Sequence, residues 1–170
     1  MDEIKYAEIE CLWIAEDKPD TFSGLIQWFL GTPYSHCAIR VVSTGMIWHA
    51  TTPGGVCEEA PAVVMRGCHV AASRMLTLKC TDAELLAYLE EERGKPYGHR
   101  GNIGLVIDKM LLRPVIRLVT PLFRPPADAE RNCSEFMGCI VHKFFKPLKG
   151  ARDKWTPPHM EKILAPRRYV

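Results

Sequence analysis

The most informative stretch of the chain is Arg131-Asn132-Cys133-Ser134-Glu135-Phe136. Asn is a strongly preferred N-cap residue, so Asn132 predicts a helix over residues 133–145. The apolar stripe of this helix consists of Phe136, Ile140, Val141 and Phe144. A thiol in the first turn of a helix faces unpaired backbone N–H groups and the positive end of the helix dipole. Both favour the thiolate, the form in which a cysteine attacks a carbonyl.

Cys133 therefore has two interpretations. The N–H groups at the start of the helix can also stabilise an oxyanion, which makes Cys133 a candidate nucleophile. Glu135 acts in the opposite direction, because a nearby carboxylate raises the pKa of a thiol. The alternative is that Cys133 is a small buried residue, since free cysteine is among the most buried residue types. Taken alone, residues 131–136 favour the second interpretation, in which Cys133 is a small buried residue.

Composition indicates one globular domain over residues 1–170, long enough for a substantial core. A net charge of +2 is too small to indicate a nucleic-acid partner. The start Met1-Asp2-Glu3 lacks the basic and apolar regions of a signal peptide. Together with an odd number of cysteines, seven, this favours reduced thiols and a cytoplasmic protein. A component of a phage particle would show the same features.

Strand-like and helix-like patterns are mixed along the chain, which predicts an α+β fold. Predicted strands cover residues 4–15, 35–42 and 46–51, a short run at 56–57, and one or two strands within 63–79. Predicted helices cover residues 21–30, 81–93, 133–145 and 159–164. The clearest helix is the one over 81–93, where Thr81 and Glu84 form a capping box and Gly94 ends the helix.

Residues 102–124 form a long amphipathic segment with a predicted break at Pro114. Charged residues interrupt every apolar run, so the segment is not a transmembrane helix. We expect an inserted helical pair. It either packs on the core or forms a lid or a membrane-contacting surface through Ile107, Met110, Leu111, Leu118 and Leu122.

A cysteine nucleophile needs a base, and the base needs an orienting partner. His36 and His49 lie on two consecutive predicted strands. A four-residue loop over 42–45 would place His49 opposite Ala38, one diagonal step (roughly 7–8 Å) from His36. A two-residue loop at 44–45 would separate them by one step more. The alternative is that each histidine is isolated and serves only the structure.

Clustered His and Cys residues can also bind metal. The chain has no Cys-x-x-Cys pair, and Cys37, Cys57, Cys68 and Cys80 are spaced too widely for a zinc knuckle. Cys139 and His142 share a helix face, but two ligands do not make a site. We therefore predict no metal and no cofactor.

The order of His36, His49 and the 131–136 stretch resembles the circularly permuted branch of the NlpC-type papain-like cysteine hydrolases, which includes lecithin:retinol acyltransferase. Gly94-Lys95-Pro96-Tyr97-Gly98 looks like the G-x-P-Y turn of that branch, and Thr156-Pro157-Pro158 like its Thr/Ser-Pro turn. The resemblance spans about residues 33–160. It implies a permuted papain-like fold in which a small antiparallel sheet packs against the nucleophile helix. It also implies Cys133 as nucleophile, His36 as base and His49 as orienting residue.

The resemblance implies a cysteine hydrolase, an amidase or peptidase, that acts on a peptide, a peptidoglycan stem or an acyl lipid. Lipid enzymes of the branch carry a basic or aromatic residue where Ser134-Glu135 stands, which favours a polar substrate. The alternatives are a lipid acyltransferase or phospholipase of the same fold, and a non-catalytic module such as a phage-particle component. Cys37 neighbours the base but is expected to point to the other face of the strand, as an unreactive control. The oligomeric state is left open.

Overall fold

The computed structural model describes residues 6–19, 24, 27–28, 31–98, 131–149, 155–165 and 167–168. Its strands are β1 (Glu8–Glu16), β2 (His36–Val41), β3 (Ile47–Thr51), β4 (Gly55–Glu59), β5 (Cys68–Thr77) and β6 (Arg167–Arg168). They form one sheet in the order β4-β3-β2-β1-β5-β6, and all neighbouring strands are antiparallel. The helices are α1 (Pro61–Val64), α2 (Asp82–Glu92), α3 (Cys133–Phe144) and α4 (Pro157–Leu164). The α+β class is confirmed.

Most of the core lies on one face of the sheet. Side chains alternate along β1, so that Cys11 and Trp13 enter the larger core cluster, whereas Leu12 and Ile14 enter a smaller one on the other face. Helices α2, α3 and α4 cover the larger cluster with Leu85, Leu89, Phe136, Ile140, Met160 and Leu164. The helix that carries Cys133 is therefore packed directly against the sheet, as expected.

The hairpin of β2 and β3 has the four-residue loop, one of the two loops considered from the sequence. Its register pairs Ala38 with His49 and Ile39 with Trp48. The loop closes through a hydrogen bond from the Gly45 N–H to the Val41 carbonyl (2.8 Å). Gly45 has φ +70°, a conformation that glycine adopts without strain. This register places His36 and His49 one diagonal step apart.

A capping box begins α3 at the predicted residue. Asn132 Oδ1 accepts a hydrogen bond from the Glu135 N–H (2.8 Å), and Glu135 Oε2 accepts one from the Asn132 N–H (3.1 Å). These reciprocal bonds satisfy donors that a helix start otherwise leaves unpaired. The helix ends at Phe144, one residue before the predicted end. The capping box predicted for Thr81 and Glu84 is also present.

The Gly94–Gly98 turn connects β4 to the residue that precedes the cap. The Val56 N–H donates to the Lys95 carbonyl (2.9 Å), and the Arg131 N–H donates to the Pro96 carbonyl (2.9 Å). Gly55 allows this close approach, because a Cβ there would lie 2.4 Å from the Lys95 oxygen. The G-x-P-Y-like turn thus fixes the position of the start of α3, and with it Cys133, relative to the edge strand β4.

A buried ion pair lies beneath the same turn. Arg131 Nε donates to Glu92 Oε2 (2.8 Å), and both side chains are almost inaccessible to solvent. Lys95 Nζ contacts Glu92 Oε1 at 2.5 Å. Burial raises the pKa of the Glu92 carboxyl, but hydrogen bonds from Lys95 and Arg131 outweigh it and hold that pKa below its usual value.

Some predicted boundaries differ from the structure. The 63–79 region contributes one strand, β5, after the short helix α1, because Pro61 starts a helical turn before the strand. Helix α4 begins at Pro157 instead of residue 159, since Thr156 caps it and proline is tolerated in a first turn. Most of the predicted 21–30 helix and all of the 102–124 segment lie outside the described residues. No helix in the described ranges is long and apolar enough to cross a membrane.

Candidate active site

The two strand histidines contact each other. His36 Nε2 and His49 Nδ1 are 2.9 Å apart, a hydrogen-bonding distance. Their ring centroids are 5.1 Å apart and the rings are inclined by 75°. The pairing of Ala38 with His49 accounts for this contact, because diagonal neighbours on one face are within reach of long or aromatic side chains. The predicted proximity of the two histidines is confirmed.

The structure brings Cys133 to the same place. It occupies the first position of α3, and 4% of its surface is exposed. Its sulfur lies close enough to the His36 ring, the Cys37 thiol and the Cys37 backbone N–H to interact with all three. Because His36 Nε2 faces His49, Nδ1 is the ring nitrogen that remains for Cys133. Cys133, His36 and His49 therefore form one continuous chain of contacts.

These contacts favour the thiolate of Cys133. The hydrogen bond from Cys37, and then the hydrogen bond and charge of His36, hold the pKa of the Cys133 thiol well below its usual value although burial opposes them. The carboxylate of Glu135, which was expected to oppose this shift, is turned back onto the Asn132 N–H. By contrast, burial raises the pKa of Cys11, Cys57, Cys68 and Cys80.

Cys37 points to the face of β2 opposite His36, as expected, but it is also part of the site. It is fully buried in the cluster that packs against α3, and its thiol contacts Cys133. Burial, followed by the interaction with Cys133, raises the pKa of Cys37 well above its usual value. Of the two neighbouring cysteines, Cys37 therefore favours the thiol form and Cys133 the thiolate. Because side chains alternate along β2, Cys37 and His36 point to opposite faces of the sheet. The face of Cys37 is the one that α3 covers.

His49 is held in its neutral form. Burial, and then the charge of His36, lower the pKa of His49 to about 4 despite the nearby Glu59. Its Nε2 lies 3.3 Å from Glu59 Oε2, yet this buried nitrogen has no hydrogen bond. Sequence reasoning missed Glu59. The register would have revealed it, because Cys57 pairs with His49 and Glu59 follows two residues later on the same face of β4.

The region also contains a set of potential metal ligands. His49, Cys57 and Glu59 each offer a ligand atom, and the three atoms lie within 4.8 Å of one another. The pair Cys139 and His142 has a different setting. His142 Nδ1 accepts the Leu148 N–H at 2.9 Å, and Cys139 borders a separate pocket that contains Arg131 and Trp155.

Comparison with known proteins adds no relative. No family model matches the sequence, no curated protein matches it, and no solved structure matches the fold. The functional argument therefore depends on the residues themselves.

Proposed function

We propose that the chain is a cysteine hydrolase of the circularly permuted NlpC-type papain-like superfamily, with Cys133 as nucleophile, His36 as base and His49 as orienting residue. The observation that carries this proposal is the continuous contact from the Cys133 sulfur through the His36 ring to His49 Nδ1. A nucleophile, a base and an orienting group in this order are the requirements of covalent catalysis by a thiol. The position of Cys133 at a helix N-terminus adds to the support.

In the proposed reaction, His36 Nδ1 takes the proton of the Cys133 thiol. The resulting imidazolium donates its Nε2–H to His49 Nδ1, and this bond fixes the plane of the base. The thiolate attacks the substrate carbonyl, and backbone N–H groups at the start of α3 stabilise the oxyanion. His36 then returns the proton to the leaving group. Water, deprotonated by His36, hydrolyses the thioester and restores the thiol.

Two further residues have supporting roles in the proposal. Cys37 donates its S–H and its backbone N–H to the Cys133 sulfur, which stabilises the thiolate before the substrate binds. Glu59 lies beside His49 Nε2 and attracts the proton on that nitrogen. The attraction leaves the Nδ1 lone pair of His49 free to accept from His36. Both are positioning residues, because neither is placed to react with the substrate.

We propose a peptide or other amide as the substrate class. Ser134 and Glu135 stand where lipid enzymes of the branch carry basic or aromatic residues, and both are engaged in the helix cap. Ser134 Oγ donates to Asn132 Oδ1 (2.9 Å), and Glu135 bonds the Asn132 N–H. The two residues thus stabilise the start of α3 and offer no apolar surface to an acyl chain.

The test uses generic acyl donors, p-nitrophenyl esters, with detection of the acyl-enzyme by mass spectrometry. We expect an acyl group on Cys133, with release of nitrophenol that Cys133→Ser abolishes. His36→Ala should slow acylation by about 10²–10⁴-fold, the usual value of general-base catalysis. Cys139→Ser is the matched control, because Cys139 is a buried cysteine on the same helix. Acylation that is absent, or that is unchanged in His36→Ala, would refute the proposal.

A second comparison decides the substrate class. Peptide p-nitroanilides and stem peptides are compared with phosphatidylcholine vesicles as substrates. Each is tested with the wild-type protein and with the Cys133→Ser variant. Cleavage of an amide supports the peptidase proposal. Release of fatty acid from vesicles, without amide cleavage, would replace it by the phospholipase or acyltransferase alternative.

A further inference from the structure

A cluster of three ligand-type side chains lies behind the orienting histidine. In the antiparallel pairing of β3 and β4, His49 lies directly opposite Cys57, and Glu59 lies opposite Ile47. Because side chains alternate along a strand, His49, Cys57 and Glu59 project from the same face. Their imidazole, thiol and carboxylate ligand atoms lie within 4.8 Å of one another. It is the only such cluster in the part of the chain that the structure describes.

The buried nitrogen of His49 is an independent sign of a ligand. The side chain is 6% exposed, and its Nδ1 contacts His36. Its Nε2 is buried, and its contact with Glu59 Oε2 at 3.3 Å lacks the alignment of a hydrogen bond. A buried polar atom whose hydrogen bond is not formed is costly. A cation between Nε2, the sulfur and the carboxylate would satisfy this nitrogen.

We propose that His49, Cys57 and Glu59 form a binding site for a divalent cation of the zinc class. Imidazole nitrogen, thiolate sulfur and carboxylate oxygen are the ligands that Zn²⁺ prefers, and three of them leave a fourth position for water. Ligands of a tetrahedral zinc ion lie roughly 3.3–3.8 Å apart, as its bond lengths dictate. Cys57 and Glu59 are only partly buried, so small rotations of these two side chains bring the ligand atoms to that spacing.

Binding rearranges protons in a defined way. The Cys57 thiol loses its proton to solvent as the metal–sulfur bond forms. His49 coordinates through Nε2 and carries its proton on Nδ1, which donates to His36 Nε2. Donation of the second ring nitrogen to a neighbouring acceptor is the usual arrangement of a metal-bound histidine.

Metal binding thereby switches off the base, a consequence that rests on the proposed function. When His36 Nε2 accepts the hydrogen bond from His49, the His36 ring carries its proton on Nδ1, the nitrogen that faces Cys133. It then has no lone pair for the thiol proton, so Cys133 remains a thiol and is a poor nucleophile. Removal of the metal restores the proton to His49 Nε2 and the lone pair to His36 Nδ1.

The site itself is tested with Co²⁺ as a spectroscopic probe, without reference to activity. We expect binding of a single Co²⁺ with thiolate-to-cobalt charge-transfer absorption in the near ultraviolet. Cys57→Ser should abolish that absorption, and Glu59→Gln should weaken binding. Cys68→Ser is the matched control, because Cys68 is also a partly buried strand cysteine. Thermal unfolding without metal verifies that each variant is folded.

Absence of charge-transfer absorption in the wild type would refute the metal site. Absorption that survives in Cys57→Ser but is lost in Cys133→Ser would refute it as well, by assigning the metal to the nucleophile. The proposed coupling has its own test, the rate of Cys133 alkylation with Zn²⁺ and after EDTA. We expect at least tenfold protection that Glu59→Gln reduces. Co²⁺ binding without protection of Cys133 would preserve the metal site and refute the coupling.

Discussion

Replacement of Glu92 by glutamine should strongly destabilise the fold. Glu92 is 4% exposed, and Arg131 contacts it with Nε at 2.8 Å and a second nitrogen at 3.3 Å. Glu92→Gln keeps the shape of the side chain but removes the negative charge of the carboxylate that the buried Arg131 guanidinium contacts. Removal of one partner of a buried ion pair typically costs about 3–5 kcal/mol of unfolding free energy. For a chain of this length that corresponds to a fall in Tm on the order of 10 °C.

The assay is urea unfolding of wild type and Glu92→Gln over a range of pH. The pKa of Glu92 is lower in the folded state than its usual 4.5, so its contribution to stability is complete above pH 4.5. It is lost as the pH falls through the folded pKa. We therefore expect the full difference between the two proteins at pH 7 and a smaller difference in acid.

Two variants make the test specific. Glu90→Gln removes an exposed carboxylate on the same helix and should leave stability unchanged, because exposed ion pairs contribute little. The double variant Glu92→Leu/Arg131→Met removes both charges and should recover most of the stability that Glu92→Gln loses. A loss below about 1 kcal/mol in Glu92→Gln at pH 7, or no recovery in the double variant, would refute the reasoning.

Two further predictions concern the turn and the orienting histidine. Gly55→Ala should lower the free energy of unfolding by about 1–3 kcal/mol more than Gly45→Ala. Both glycines have positive φ, but a Cβ at Gly55 alone meets the Lys95 oxygen. Equal losses of unfolding free energy in urea would contradict this. Between pH 6.5 and about 4 the unfolded state protonates His49 and the folded state does not, so wild-type stability should fall with decreasing pH by up to about 3 kcal/mol relative to His49→Gln. The measurement is urea unfolding with chelator present, and parallel pH profiles of the two proteins would exclude the depressed pKa.

The sequence was sufficient for the parts of the fold that local rules determine. Asn132 and Thr81 predict helix starts because their side chains satisfy N–H groups within the next turn. Both caps are present in the structure. The proximity of His36 and His49 followed from strand alternation together with the length of one loop. Each of these inferences needs only residues that are near in sequence.

The rest depends on contacts that local rules do not contain. The involvement of Cys37 follows from which face of the sheet α3 covers, and Glu59 approaches His49 only through the pairing of β3 with β4. The buried pair of Arg131 with Glu92 joins residues 39 positions apart. The 102–124 segment, for which the sequence left core packing and membrane contact open, lies outside the described residues.

The most direct test of the central claim is the pH dependence of Cys133 alkylation by iodoacetamide, resolved by mass spectrometry. The proposed contacts with Cys37 and His36 predict that Cys133 reacts near neutral pH while the cysteines with raised pKa, Cys11, Cys37, Cys57, Cys68 and Cys80, do not. His36→Ala should slow Cys133 at least about tenfold, the effect of one pKa unit, and move its profile to higher pH. Reaction of Cys133 only at the pH of an ordinary thiol, with no change in His36→Ala, would contradict the proposed nucleophile and base.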